Sequence, residues 1–258
     1  GSYGSSSGRR LALARWVADP QNPLTARVAV NHIWLRHFGR PLVRSVFDFG
    51  LSGQKPSHPQ LLDWLASELR QPSLVLTEAD GGWHWVAGQP DCKPWSMKHL
   101  HRLIVTSSAY CRASTSDSAN FDIDPDNLLL WRMPARRMDA ETVRDSVLAA
   151  AGTLDRTIGG PDLPVADGMS VVRRSLYFHH SPEDQMKFLK LFDGADPTEC
   201  YNRHVSIVPH QALALFNSEL TLVQSRKLAV RLSREQTDTD GFIQTVFEQV
   251  LSRPATET

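Results

Sequence analysis

The residues best suited to chemistry fall into separate groups along the chain. Arg27, Asn31 and His32 share one stretch, NPLTARVAVNHIWLRHFG. Paired with Asp48 in a DFG loop and Asp63 on the next helix, they are the types that line a buried charged cleft holding a substrate, and His58 stands close by in sequence. The plainer reading is a structural network that ties the loop onto a helix, because buried polar groups need partners. In the C-terminal half, Asn202, Arg203 and Gln211 form a polar group in an irregular segment, and ordered loops carry function. These make Asp48, His58, Asp63 and Arg203 the catalytic candidates. Arg27, Asn31, His32, Asn202 and Gln211 are binding candidates.

Two groups suggest a divalent metal. His179, His180, His204 and His210 surround one irregular region, and imidazole is a ligand for transition ions. Their spacing matches no zinc template. Asp122-Ile-Asp124-Pro-Asp126-Asn127 imitates the start of a calcium loop, but the sixth position lacks glycine and the twelfth, Met133, lacks glutamate. A turn capped by aspartates explains the same residues. His99 and His101, set beside His58, are two apart on an expected helix and so point to different sides. Arg136, Arg137, Glu141, Arg144 and Asp145 read as a solvated helix face laced with ion pairs, or as the edge of a cleft. Trp83, Trp85 and Trp95 stand in or beside one short stretch. Tryptophans stack on sugar rings, and they also fill hairpin cores.

The three cysteines, Cys92, Cys111 and Cys200, show neither CxxC nor CxxCH. This chain therefore carries no c-type haem attachment and no cysteine zinc knuckle. One disulfide with one thiol left over, or three free thiols, fits the count. Lys+Arg and Asp+Glu both number 28. A net charge of zero argues against a nucleic-acid surface, which shows as excess positive charge. No apolar run reaches the roughly 18 residues a membrane span needs.

The elements that must position these groups are mainly helices. Asn22 as N-cap, Pro23 at the first position and Gly39 past the end delimit a largely apolar helix. Residues 8–18 predict a short helix before it. Ser57 or His58 caps a helix with Leu61, Leu62, Leu65 and Leu69 at helical spacing. LVLT and GGWHWVAG predict a hairpin inside 73–94, a surface insertion. Helices follow at 95–111, with Met97, Leu100, Leu103, Ile104 and Tyr110 inward, and at 139–154, stopped by Gly159-Gly160-Pro161. RSLYFH, residues 174–179, is the best strand candidate. Further helices are expected within 181–191, 209–218, 219–234 and 241–251. The fold class is mainly α, an irregular multi-helix domain with one or two short strands or a hairpin. Residues 1–8 read as a linker or scar and 9–258 as one domain, cut from a longer chain.

Five blocks then stand in order: NPLTARVAVNHIWLRHFGRPLV, DFGLSGQKPSHPQLLDWLASEL, WSMKHLHRLIVTSSAY, DPDNLLLWRMPARRMDAETVRDSVLAAAGTLD and VPHQALALFNSELTLVQSRKLAVRL. Together they resemble the planctomycete-specific C-terminal domain of unknown function, found at the end of large proteins that carry a cytochrome c-like domain. The resemblance implies an exported multi-domain bacterial protein, with a cytochrome c-like domain among its partners, and it supplies no catalytic residues. Two function classes follow: a module that docks on its parent protein or binds carbohydrate, and a catalytic domain acting on polysaccharide in concert with the cytochrome. The catalytic class requires Asp48, His58, Asp63 and Arg203 to share one pocket.

Overall fold

The computed structural model describes residues 7–89, 91–198, 203, 205–236 and 238–256. Asn202, His204 and Cys200 lie outside them. The chain divides into two compact units, Gly1–Arg136 and Arg137–Thr258, and each is described by itself.

The first unit is built on α1 (Arg9–Val17), α2 (Pro23–Phe38), α3 (Pro59–Arg70), the hairpin β1 (Leu74–Ala79) and β2 (Gly82–Ala87), α4 (Met97–Val105) and α5 (Ser118–Ile123). The Asn22 side chain accepts from Leu24 N–H at 2.9 Å and donates to Trp16 C=O at 3.0 Å, so it caps α2 and holds the end of α1. At the other end Gly39 takes φ +72° and donates to Leu35 C=O at 2.8 Å, a left-handed stop that glycine reaches without strain. The buried stripe of α2 runs Ala26, Val30, Trp34, Phe38, one residue every four. It is narrower than the near-complete apolar circumference the composition suggests, because Leu24 is exposed. It packs on Leu62, Leu65, Ala66 and Leu69 of α3 and Leu100, Leu103 and Ile104 of α4.

Ser96 caps α4, which ends at Val105. The expected run to Cys111 is cut short because the Thr106 and Ser107 hydroxyls bond back to Arg102 C=O and Ile104 C=O, the local competition that ends helices. Met97, expected inward, is 59% exposed, since it is the first helical residue and lies before the packed face. The hairpin turns at Asp80 and Gly81, both with positive φ, as a two-residue turn of strand-matched twist requires. Leu76 faces Trp85 and Glu78 faces Trp83 across it. Cys92 and Cys111 are both free thiols.

The second unit holds α6 (Ala140–Ala150), α7 (Lys187–Leu191), α8 (Pro209–Asn217), α9 (Glu219–Glu235) and α10 (Thr239–Leu251). Its core joins Ala140 and Leu148 of α6 with Phe178, Met186, Phe188, Phe192 and Leu220. Helix α6 stops before the Gly159–Gly160 pair, at Gly152 with φ +74°. RSLYFH is no strand. Residues Ser175–Tyr177 form a 3-10 turn, and Phe178 makes one isolated parallel bridge to Leu163. Helix α6 holds the chain on the N-terminal side of this turn. Arg144 is 0% exposed and donates from Nε to Gly168 C=O at 3.1 Å, from Nη1 to Arg173 C=O at 2.9 Å and from Nη2 to Val171 C=O. The Asp145 carboxylate takes Ser175 N–H at 2.8 Å and its hydroxyl at 2.6 Å. Within RSLYFH the Ser175 N–H is thus taken by a side chain and lost to any ladder, while Tyr177 C=O and His179 N–H pair with Leu163 alone. Arg144 thus belongs to the interior, and the solvated-face reading of that helix is corrected at this residue.

Candidate functional site

The pocket that collects the most chemistry lies in the second unit, with a cavity of about 400 Å³. Asp139 and Glu141 enter from the start of α6, and Lys190 from α7. Arg203 comes from the segment before α8, and His179 and His180 follow the 3-10 turn. Leu176, Phe178, Met186 and Leu189 supply the apolar wall. Arg203 binds Glu141 through both nitrogens, Nη1 to Oε2 at 2.6 Å and Nη2 to Oε1 at 3.1 Å, with Asp139 at 3.8 Å. This two-pronged geometry is the strong form of the arginine–carboxylate pair. Burial works against the Glu141 charge. The hydrogen bonds from Arg203 and from the residue's own backbone, together with the charges of Arg203 and His180, outweigh it and hold the carboxyl below the ordinary glutamate range. Glu141 is therefore a fixed acceptor and a poor proton donor. At the rim, His179 Nδ1 lies 3.0 Å from Asp162 Oδ2.

The remaining sequence candidates go to other places. Arg203 lines this cavity, whereas Asp48, His58 and Asp63 do not. In the first unit, Asp48 Oδ1 accepts Gly50 N–H at 2.8 Å and shapes its own loop. His58 Nδ1 contacts the Ser57 hydroxyl at 3.0 Å. Arg27 Nε meets Asp63 Oδ1 at 2.6 Å, and this hydrogen bond pulls the Asp63 pKa down. His32 is held below the usual histidine value by burial and then by Arg36. Asn31 is fully buried and clamps Val43, donating to its C=O at 3.0 Å and accepting its N–H at 2.8 Å. Of these contacts, the Asn31–Val43 pair is a buried tie of loop to helix, while Asp48 bonds only its own loop and Arg27–Asp63 joins two helices at the surface. In the second unit Gln211 is consumed likewise. Its amide donates to Leu191 C=O at 2.9 Å and accepts from Arg137 Nη2 at 2.7 Å.

Asp124 turns both carboxylate oxygens onto Leu128 and Leu129 N–H, at 2.9 and 2.7 Å, while Asp122 and Asp126 are exposed. His210 is exposed on α8. Among the described residues no three His, Cys, Asp or Glu side chains group closely enough to hold a metal ion. Trp85 donates from Nε1 to Thr106 Oγ1 at 2.8 Å and packs on the first core, whereas Trp83, beside Glu78, is 65% exposed. The tryptophan pair thus divides between core and surface. Along α9 a second concavity is lined by Arg226, Lys227, Arg231 and Arg234, but Arg231 is already tied to Glu235 and to Ala150 C=O.

The sequence points to Arg203, His179 and His180, leaves Lys190, Asp139 and the apolar wall unmarked, and places Glu141 on a solvated face or the edge of a cleft. Arg203 and Glu141 are 62 positions apart, so no local pattern joins them. Fold and site together define a mainly helical protein with a charge-balanced pocket, a class to which no single activity attaches. The chain belongs to the PSD1 family, described as "Protein of unknown function (DUF1553)", whose profile matches residues 9–258. No curated protein matches the chain, and no solved structure does. Among the described residues no helix is long and apolar enough to cross a membrane.

Proposed function

We propose that the chain is a non-catalytic carbohydrate-binding module and that the second-unit pocket takes a short neutral saccharide. The observation that carries this is the lining itself. Two carboxylates, Asp139 and Glu141, balance two cations, Arg203 and Lys190, beside the apolar wall of Leu176 and Phe178. A charged ligand meets repulsion from one of the two signs. A polyol meets both donors and acceptors for its hydroxyls and an apolar surface for its C–H face. The setting proposed with it is an exported planctomycete protein with a cytochrome c-like domain, and it rests on the resemblance of the five sequence blocks. The polysaccharide-cleaving alternative gains little from Glu141, whose two oxygens Arg203 occupies. Melting the chain with a panel of neutral and sulphated oligosaccharides tests the reading. A neutral saccharide at a hundredfold excess over its dissociation constant adds about 2.7 kcal/mol and raises Tm by several degrees. Arg203→Met removes that shift. A shift with sulphated sugars alone overturns the neutral-saccharide assignment.

A second reading, docking on another domain of the same parent protein, is favoured by one segment, residues 205–216. Ile207 is 92% and Phe216 80% exposed, with Val205, Leu213 and Leu215 exposed on the same segment. Apolar side chains massed on the outside mark interaction sites. Ile207→Ser with Phe216→Ser is expected to weaken binding of this chain to the separately expressed remainder of its parent at least tenfold. Unchanged affinity counts against docking through residues 207–216.

A further inference from the structure

Helix α9 has two unlike sides. Leu220, Gln224, Leu228 and Leu232, one residue every four, are buried. Leu220 joins the core around Leu148 of α6, and Leu228 and Leu232 pack with Ala151 and with Phe242 and Val246 of α10. The outward side and its edge carry Leu222, Val223, Arg226, Lys227, Val230 and Arg234, all exposed. A helix face turned to water is ordinarily polar, with both signs of charge. This one is partly aliphatic and has one sign. The two acids of α9 stand at its ends, Glu219 in the first turn and Glu235 bound to Arg231, Nη1 to Oε1 at 3.3 Å. From Leu220 to Arg234 no acid occurs. Among the described residues the side chains of Arg226, Lys227 and Arg234 enter no hydrogen bond or ion pair. Lys227 and Arg231 stand four apart, and Arg231 and Arg234 three apart, so like charges meet along the helix and work against it. We propose that the outward face of α9 docks an acidic amphipathic helix of a partner polypeptide, its aliphatic row lying on Leu222, Val223 and Val230 and its carboxylates meeting Arg226, Lys227 and Arg234.

Charge complementarity sets the sign of the partner, and the aliphatic row sets its class. Val223 and Val230 stand seven positions apart with Arg226 between them, the i, i+3, i+7 spacing by which one helix reads another. A polyanionic sugar or a nucleic acid has no use for the aliphatic row, and a chain of zero net charge does not draw polyanions from a distance. Helices that lie on an anionic bilayer set tryptophan or phenylalanine beside their cations, and α9 has neither. Two of the three cations are arginines, whose planar fork matches a carboxylate. The inward packing on α6 and α10 holds the face in place before a partner arrives. From Leu222 to Arg234 the row is about 18 Å long. One helix laid on another over that length makes a small interface, so the affinity is micromolar and falls as salt screens the charges. This surface does not rest on the saccharide pocket, and no pocket residue belongs to it.

The test is fluorescence anisotropy of a labelled three-heptad peptide, with leucine at its a and d positions and glutamate at e and g, titrated with the whole chain. Saturable micromolar binding at low salt is expected. The pair Val223→Ser with Val230→Ser, and the pair Arg226→Gln with Arg234→Gln, each lower the affinity at least tenfold. All four side chains are exposed, so Tm stays in place. Lysine in place of the peptide's glutamates abolishes binding. Dextran sulphate and phosphatidylglycerol vesicles are the competing probes. Tighter binding to either one than to the peptide, or peptide binding that the valine pair leaves unchanged, overturns the proposal. Absence of saturable peptide binding overturns it as well.

Discussion

Arg144→Met is expected to unfold the second unit selectively, at a cost of about 3–5 kcal/mol. The Arg144 guanidinium is fully enclosed and answers three carbonyls, of Gly168, Val171 and Arg173, and the Ser175 hydroxyl. Its face also lies 4.8 Å from the Phe178 ring. Methionine fills much of the space but donates nothing, so the three carbonyls stay buried and unpaired, each at about 1–3 kcal/mol. The loss is a large part of a typical domain stability of about 5–15 kcal/mol. Arg144→Lys recovers little, because a single ammonium cannot reproduce a planar fork aimed at three acceptors. All seven tryptophans lie at or before Trp131. Tryptophan fluorescence therefore reports the first unit, while far-ultraviolet circular dichroism reports both. In urea, Arg144→Met moves part of the dichroism transition to lower denaturant and leaves the fluorescence midpoint in place. A fluorescence midpoint that moves by the same amount contradicts the independence of the two units, and an unmoved dichroism curve contradicts the role of Arg144.

Asn31→Leu gives the mirror result in the first unit. The Asn31 side chain copies a strand partner for Val43, with both backbone groups of that residue bound to one amide inside the core. Leucine is close in size and leaves an N–H and a C=O buried without partners, about 2–4 kcal/mol in all. Asn31→Asp keeps the acceptor and loses the donor, and it places an unpaired charge among Val30, Trp34 and Val43. It is expected to be at least as destabilising as Asn31→Leu at neutral pH and to recover in acid, as protonation restores a donor. The fluorescence-detected urea midpoint reads both variants. A midpoint within error of the parent protein removes the clamp from the account.

What was legible in the sequence was local. Asn22, Pro23 and Gly39 mark the ends of α2 because capping acts within a few residues of the helix it serves. The hairpin was legible in the two β-prone runs LVLT and GGWHWVAG, between which Asp80 and Gly81 make the turn. The mainly helical class with a hairpin follows from these signals. What misled was long-range. Arg144 stands between Glu141 and Asp145 like one member of a surface ion-pair series, yet its hydrogen-bond partners are 24 to 31 positions away. RSLYFH carries strand-forming residue types, but Asp145 of α6 takes its Ser175 N–H, and its one strand-like pairing is with Leu163. The pocket joins residues from Asp139 to Arg203, and only packing brings them together. The contact between His37 Nε2 and His101 Nδ1, at 2.7 Å, was hidden for the same reason. His101 was weighed with His99, its neighbour in sequence, whereas its neighbour in space lies 64 residues earlier.

The most direct test of the saccharide-binding reading is a backbone ¹H–¹⁵N spectrum of the chain during titration with a short neutral oligosaccharide. The account predicts saturable shifts confined to the pocket residues around Glu141, Leu176, His180, Lys190 and Arg203, and their loss in Arg203→Met. Shifts centred on Glu78 and Trp83 would move carbohydrate binding to the hairpin and contradict the pocket. No saturable shift with any neutral saccharide would contradict carbohydrate binding and leave the exposed face of α8 as the working surface of the domain.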